Sequence, residues 1–177
     1  LGIDPGLQRT GWGIVLQSGS KLTHLVHGTI KTKTTWTSAN RLDEIHSSLN
    51  EVIANWRPNK AAVEQIFVAK GADSALKLGM ARGVAMQTCA GKGLDLTEIS
   101  ARQVKKAVTG TGAADKTQVA AMVEKLLNIK PEGLDASDAL AIAISGINMW
   151  PNYSVNRTNL PTDNGLESAI EAALMRE

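Results

Sequence analysis

Four acidic residues stand where solubility alone does not account for them. In "LDASDALAIAI", residues 134–144, Asp135 and Asp138 sit just before the unbroken apolar run Ala139–Ile144, which a helix would bury on every side. Asp4 closes a short apolar segment in "GIDPG", and Glu64 is the one acid in the apolar run "AAVEQIF". A carboxylate without a partner is costly to desolvate, so each position asks for a compensating charge. Asp135 and Asp138 are three residues apart, about 300° around a helix axis, and share a face at its first turn. If the strands ending in Asp4 and Glu64 are neighbours, their side chains project from one end of the sheet, where α/β folds place ligands. Four acids gathered there repel one another unless something positive lies among them. Oxygen ligands alone, with no His or Cys in any of the four motifs, suit Mg²⁺ or Mn²⁺ rather than zinc. Two such ions ~3.5–4 Å apart would activate water and stabilise a leaving oxygen, the chemistry of metal-assisted phosphodiester hydrolysis. Each motif has a plainer alternative: Asp before Pro-Gly is commonly a turn residue, and Asp135 could simply cap its helix. The set is stronger than its members.

Several elements must position these acids. A first short strand ends near Ile3, and apolar alternation in "TGWGIVLQ" and "KLTHLVHGTIKT" around "SGSK" predicts a hairpin, with Leu22, His24, Val26, Gly28 and Ile30 on one face. The period then changes: Leu42, Ile45, Leu49, Val52, Ile53 and Trp56 predict an amphipathic helix over 40–56, stopped by Pro58. "AAVEQIF" is too short for a stable helix and reads as a strand. The stretch 73–89 reads as a helix opened by an Asp cap, with Leu76, Met80 and Val84 at four-residue spacing. Gly79 and Gly83 inside it cost roughly 1 kcal/mol each relative to Ala, which points to close approach of another backbone, such as a second subunit. "LDLTEIS" is a strand, "ARQVKKAVTGTGAA" a polar stretch, and Asp115 with Gln118 forms a capping-box pattern ahead of a further helix. Strands joined by a hairpin, followed by strands alternating with helices, predict a mixed sheet with helices on its faces.

At 177 residues, 43% apolar and 20% charged, the chain fits one globular domain, and no apolar run approaches a membrane span. No secretory signal is visible, and a cytoplasmic location is expected. The single cysteine, Cys89, has no partner for a disulfide or a zinc site and is expected in the core. Residues 150–177 carry a net charge of −2, which leaves +4 on residues 1–149. That mildly basic body permits a nucleic-acid partner without demanding one. The organisation expected is a domain over 1–149 and, over 150–177, a linker and tail with one short amphipathic helix through Leu166, Ile170, Ala173 and Leu174.

The blocks "GIDPG…TGWG", "AVEQIFVAKGADSALKLGMARG", "ARQVKKAVTGTGAADKTQVAAMV" and "DASDALAIAI", in this order over about residues 1–148, together resemble the RuvC family of Holliday-junction resolvases. That family lies within the ribonuclease H-like, retroviral-integrase superfamily. The resemblance implies a mixed five-stranded sheet flanked by helices on both faces, and a homodimer that nicks four-way DNA junctions symmetrically with Mg²⁺. It implies 5′-phosphate and 3′-hydroxyl products, a role in recombination and repair, and a branch-migration motor as partner. The family's acidic quartet falls on Asp4, Glu64, Asp135 and Asp138, as catalytic residues and metal ligands. Its base-stacking aromatic falls on Phe67, beside Lys70, and its basic positions near the scissile phosphate fall on Lys105 and Lys116. Arg82, Lys106 and Arg102 are candidates to extend that DNA-binding surface, and Gly79 and Gly83 mark the candidate dimer interface. One departure concerns the first turn, where Gln8 occupies a place that is often basic and Arg9 follows one residue later. An actin-like kinase can also open on "GIDxG", but it needs a second phosphate loop that this sequence lacks.

Overall fold

The computed structural model describes residues 1–65 and 71–150, and they form a mixed five-stranded sheet in the order β3-β2-β1-β4-β5. Strand β1 is Gly2–Asp4, β2 Arg9–Ser18, β3 Lys21–Lys31, β4 Lys60–Glu64 and β5 Asp95–Ile99. The β3, β2 and β1 strands pair antiparallel, whereas β1, β4 and β5 run parallel. Helices α1 (Ser38–Trp56) and α2 (Ala72–Gly91) cover one face. Helices α3 (Ala101–Thr109), α4 (Lys116–Leu127) and α5 (Leu134–Met149) cover the other. Ile3, Ile14, Ile45, Leu49 and Ala85 meet in the first core, and Ile99, Val104, Val123, Leu140 and Ile144 in the second. The expected fold class holds, and Cys89 is fully buried in the first core, where burial pushes its thiol up to about 11.

Local chemistry explains where the elements differ from expectation. Helix α1 starts at Ser38, two residues early, because the Thr37 hydroxyl accepts the Asn40 N–H at 3.2 Å. It ends on Arg57 in the left-handed region (φ 44°), one residue before Pro58. The stretch 101–109, read as merely polar, is helix α3, opened by a reciprocal capping box between Ser100 and Gln103. Helix α4 begins on the Asp115–Gln118 box as expected. Helix α2 does not use an Asp cap. Gly71 stands at its N-cap position, while Asp73 lies in the first turn and pairs with Lys77 at 2.5 Å. Its inward stripe is Ala81, Ala85, Thr88 and Cys89 rather than Leu76–Met80–Val84, and Leu76 is 63% exposed.

The β2–β3 hairpin forms as expected, but the pairing skips a residue between Ile14 and Val15, so that Leu25 has no cross-strand partner. The bulge divides the face read as continuous: Leu22 packs with α5, and Val26 and Ile30 pack with α1. Trp150, where the expected linker starts, is held against the domain by donation from Nε1 to Thr97 Oγ1 at 2.9 Å, with Lys60 Nζ 5.2 Å from the ring centroid. The expected tail helix lies outside the described residues.

Helix α5 packs unusually close to β1 and β2. A Cβ on Gly2 would lie 2.1 Å from the Ala139 carbonyl oxygen and 2.4 Å from the Ala143 nitrogen, both in the α5 backbone. One on Gly11 would meet the Asp135 carbonyl oxygen at 2.0 Å, and one on Gly13 would meet the Leu140 side chain at 2.6 Å. The seat therefore requires strands without side chains on that face. Gly2→Ala should destabilise the protein by at least ~1–3 kcal/mol, the range for overpacking against backbone that cannot yield, seen as a lower urea midpoint.

Candidate functional site

The parallel register pairs Gly2 with Ala62 and Ile3 with Val63, so Asp4 and Glu64 end adjacent strands side by side. On the other side of β1, Asp4 pairs with Gly11, and Gly11 is where the first turn of α5 rests. Asp135 and Asp138 are thus carried to the end of the sheet that holds Asp4 and Glu64. The start of α5 is further secured by His27, whose Nε2 accepts the Glu132 N–H at 3.2 Å and whose Nδ1 lies 2.8 Å from His24 Nε2.

The electrostatics record the crowding. Asp4 is pushed up to about 7, first by burial, then by Asp138 and Glu64, with Lys116 opposing and Asp135 adding a smaller push. Glu64 is raised by burial and by Asp138, against the pull of Lys116 and Lys105. Two cations hold the α5 acids. Arg9 Nε donates to Asp135 Oδ2, and Lys116 Nζ donates to Asp138 Oδ2 at 3.1 Å. The Asp138 bond and charge raise Lys116 in turn. With Asp135 and Asp138 turned onto these partners, no three His, Cys, Asp or Glu side chains among the described residues stand as a ready metal cage.

The donor set nevertheless fits a hard divalent cation. It is all carboxylate oxygen, it is gathered from β1, β4 and α5, and its most buried member is raised first by burial and then by the negative charge of the other three. Lys105 and Lys116 stand close enough to act on Glu64, and Arg9 replaces Gln8 as the basic residue of the first turn. Phe67 and Lys70 lie outside the described residues. Lys106 and Arg102 are exposed on α3. Arg82, a candidate DNA contact, is engaged within the protein: Nε donates to the Glu64 carbonyl at 3.0 Å and Nη2 to Glu98. Among the described residues nothing lies within 4 Å of a Cβ added at Gly79 or Gly83, so no described backbone explains them.

The residues missed in the sequence are Gly2, Gly11 and Gly13, together with Glu98. Glycines repeated inside short strands did carry a readable signal of close backbone approach. Glu98 carried none, since an acid in a strand is ordinarily a solvent-facing residue.

A mixed sheet with three antiparallel and two further parallel strands, helices on both faces and carboxylates at the ends of β1 and β4 is the architecture of a ribonuclease H-like domain. The same architecture appears in the yeast mitochondrial Holliday junction resolvase Ydc2, at a TM-score of 0.60 and 15% identity over 82% of this chain and 75% of that one, a likeness of fold alone. The Thermus thermophilus RuvC structure in complex with a Holliday junction substrate is closer, at a TM-score of 0.77 and 34% identity, covering 81% of this chain and 89% of that one. The crossover junction endodeoxyribonuclease RuvC of Citrifermentans bemidjiense is 50% identical over 146 residues, 81% of this chain and 88% of the relative. The family model for crossover junction endodeoxyribonuclease RuvC matches residues 1–146, and the chain belongs to that family.

The shift on Asp4 has a defined sign. A carboxyl whose folded pKa is raised from 3.8 to about 7 contributes its stability below pH 4 and loses it as pH rises through 7. In EDTA, Asp4→Asn should therefore be more stable than the parent at pH 8, by about 1–3 kcal/mol. That advantage should shrink towards pH 5, as read from urea midpoints at the two pH values.

Proposed function

We propose that this chain resolves four-way DNA junctions by nicking two strands symmetrically, with Asp4, Glu64, Asp135 and Asp138 as the ligands of a divalent-cation site. Family membership supplies the junction-nuclease activity, and the observation that supports the residue assignment is the raised Asp4 carboxyl at the meeting point of β1, β4 and α5. Mg²⁺ is the cofactor proposed, two ions per site, with Mn²⁺ as a substitute. Bound there, it supplies the positive charge that makes a water nucleophilic at neutral pH and stabilises the leaving oxygen of an in-line displacement. Asp4 and Glu64, fixed on adjacent strands, give the site its rigid half. Asp135 and Asp138 give the half that exchanges partners, from Arg9 and Lys116 to the cation. Once released, Arg9 and Lys116 can face the phosphates on either side of the cut, with Lys105 beside them. Cleavage at the 3′-oxygen of the scissile phosphate leaves 5′-phosphate and 3′-hydroxyl ends.

Phe67 and Lys70 belong to the same reading, as a stacking aromatic worth ~1–3 kcal/mol per base and a basic neighbour. The protein acts in the cytoplasm as a homodimer, beside a branch-migration motor. Two sites related by a two-fold axis suit a junction of the same symmetry. The exposed glycines of α2 and Leu76 beside them supply a surface on which a second backbone can approach closely.

Two experiments bear on this. A mobile four-way junction and a plain duplex are incubated with the protein, with and without Mg²⁺, and the end groups are mapped. Paired nicks are expected only in the junction with Mg²⁺, and Asp4→Asn should lower the rate about 100-fold or more while binding is retained. Normal nicking by that variant would refute the ligand assignment. For the dimer, Gly83→Leu should shift sedimentation from dimer to monomer with the helical circular dichroism unchanged. A dimer that persists would remove α2 from the interface.

A further inference from the structure

Arg82 lies on α2 with its side chain only 17% exposed, and its guanidinium is committed to two partners on two strands. Nε donates to the backbone carbonyl of Glu64 at 3.0 Å, and Nη2 donates to the Glu98 carboxylate on β5. The Glu64 carbonyl stands where the chain leaves the sheet. The next N–H, of Gln65, still bonds to the Ile99 carbonyl at 2.8 Å, and α2 begins seven residues later at Ala72. One side chain thus ties together the last residue of β4, the strand beside it and the helix that follows. A planar fork on a buried stem suits this task, because its donors hold fixed relative directions that an ammonium cannot match.

The contact is with the backbone of Glu64 and not with its carboxylate. The cations that act on that carboxyl are Lys116 and Lys105. Removing Arg82 would therefore leave the charges acting on the Glu64 carboxyl largely unchanged, but would free the strand end from which that carboxylate projects. Outer partners of this kind, which aim a ligand without touching the ion, typically affect metal affinity or activity by 10–100-fold.

We propose that Arg82, itself aimed by Glu98, is a positioning residue for the cation site, fixing the Glu64 backbone against α2 so that the Glu64 carboxylate is held in its ligating direction. The inference rests on the reading of the acidic quartet as that site. It also gives Arg82 a different task from a DNA contact. Because Gly83 is the next residue on α2, the surface proposed for self-association and the aim of one ligand meet at a single turn of helix.

The test compares the parent with Arg82→Gln, Arg82→Lys, Glu98→Gln and the Arg82→Gln/Glu98→Gln pair. Two readouts are taken: the rise in thermal midpoint with added MnCl₂, which reports cation binding without any reaction, and the affinity for a four-way junction in EDTA. Arg82→Gln and Glu98→Gln should each raise the Mn²⁺ concentration for half-maximal stabilisation about 10-fold. The double variant should do no worse than the poorer single, since both act through one contact. Arg82→Lys should fall between parent and Arg82→Gln, and junction affinity in EDTA should stay near the parent's. An unchanged Mn²⁺ midpoint overturns the proposal, as does a loss of junction affinity in Arg82→Gln that Glu98→Gln does not share. If Arg82→Gln does not fold, Glu98→Gln and Arg82→Lys carry the same comparison. Asp4→Asn serves as the control: if it too keeps the parent's Mn²⁺ response, the quartet reading is what fails, whereas a lost response there with a parental one in the Arg82 variants defeats only the positioning role.

Discussion

Helix α5 reaches the sheet because β1 and β2 present bare backbone to it at Gly2, Gly11 and Gly13, and the rest of the arrangement depends on that contact. The driving force is apolar. Leu140, Ile142 and Ile144 are each at most 2% exposed, and full burial of such side chains contributes roughly 1.5–3 kcal/mol apiece. Together they exceed the penalty of carrying two partly exposed carboxylates to the front of the helix. Asp135 and Asp138 are therefore brought towards Asp4 by packing, and the Asp4 carboxyl is raised first by its own burial and then by the neighbouring negative charge.

The protein meets this concentration of charge with cations from distant parts of the chain. Arg9 comes from the turn into β2 and Lys116 from the first turn of α4, and each engages one acid of α5. Both pairs are partly exposed, with Lys116 at 76% and Arg9 at 49% of their side-chain surface. Ion pairs so open to water are weak and readily exchanged. That weakness suits the partner exchange proposed for these carboxylates, whereas Arg82 is itself only 17% exposed, although its partner Glu98 is open to water at 43%.

How much of this was legible in the sequence follows from the range of the forces involved. The acids at strand ends, the Asp115–Gln118 box and the apolar run of α5 are local patterns, and each stands where the pattern put it. Helix α3 was equally readable from Ser100 and Gln103, but its polar outer face and the glycines after it hid the periodicity of Val104 and Val108. The inward stripe of α2 was obscured because alanines do the packing while the larger Leu76 faces outward. The bulge that leaves Leu25 unpaired, and the Arg82–Glu98 contact, depend on how separate strands and helices register in space, which no spacing along the chain encodes. The quartet could be proposed because its members share one chemistry, and Arg9, Lys105 and Lys116 were legible alongside it, but which acid each cation faces depends on the folded arrangement.

The anchoring of Trp150 determines where the chain departs. Its indole is fixed to Thr97 and Lys60, and Lys60 opens the strand that Glu64 closes, so the described polypeptide finishes at the pole opposite the carboxylates. A fluorophore, an affinity handle or a surface tether attached just after that indole would start from this remote pole. The protein could then be immobilised or labelled there with its acidic mouth left facing outward.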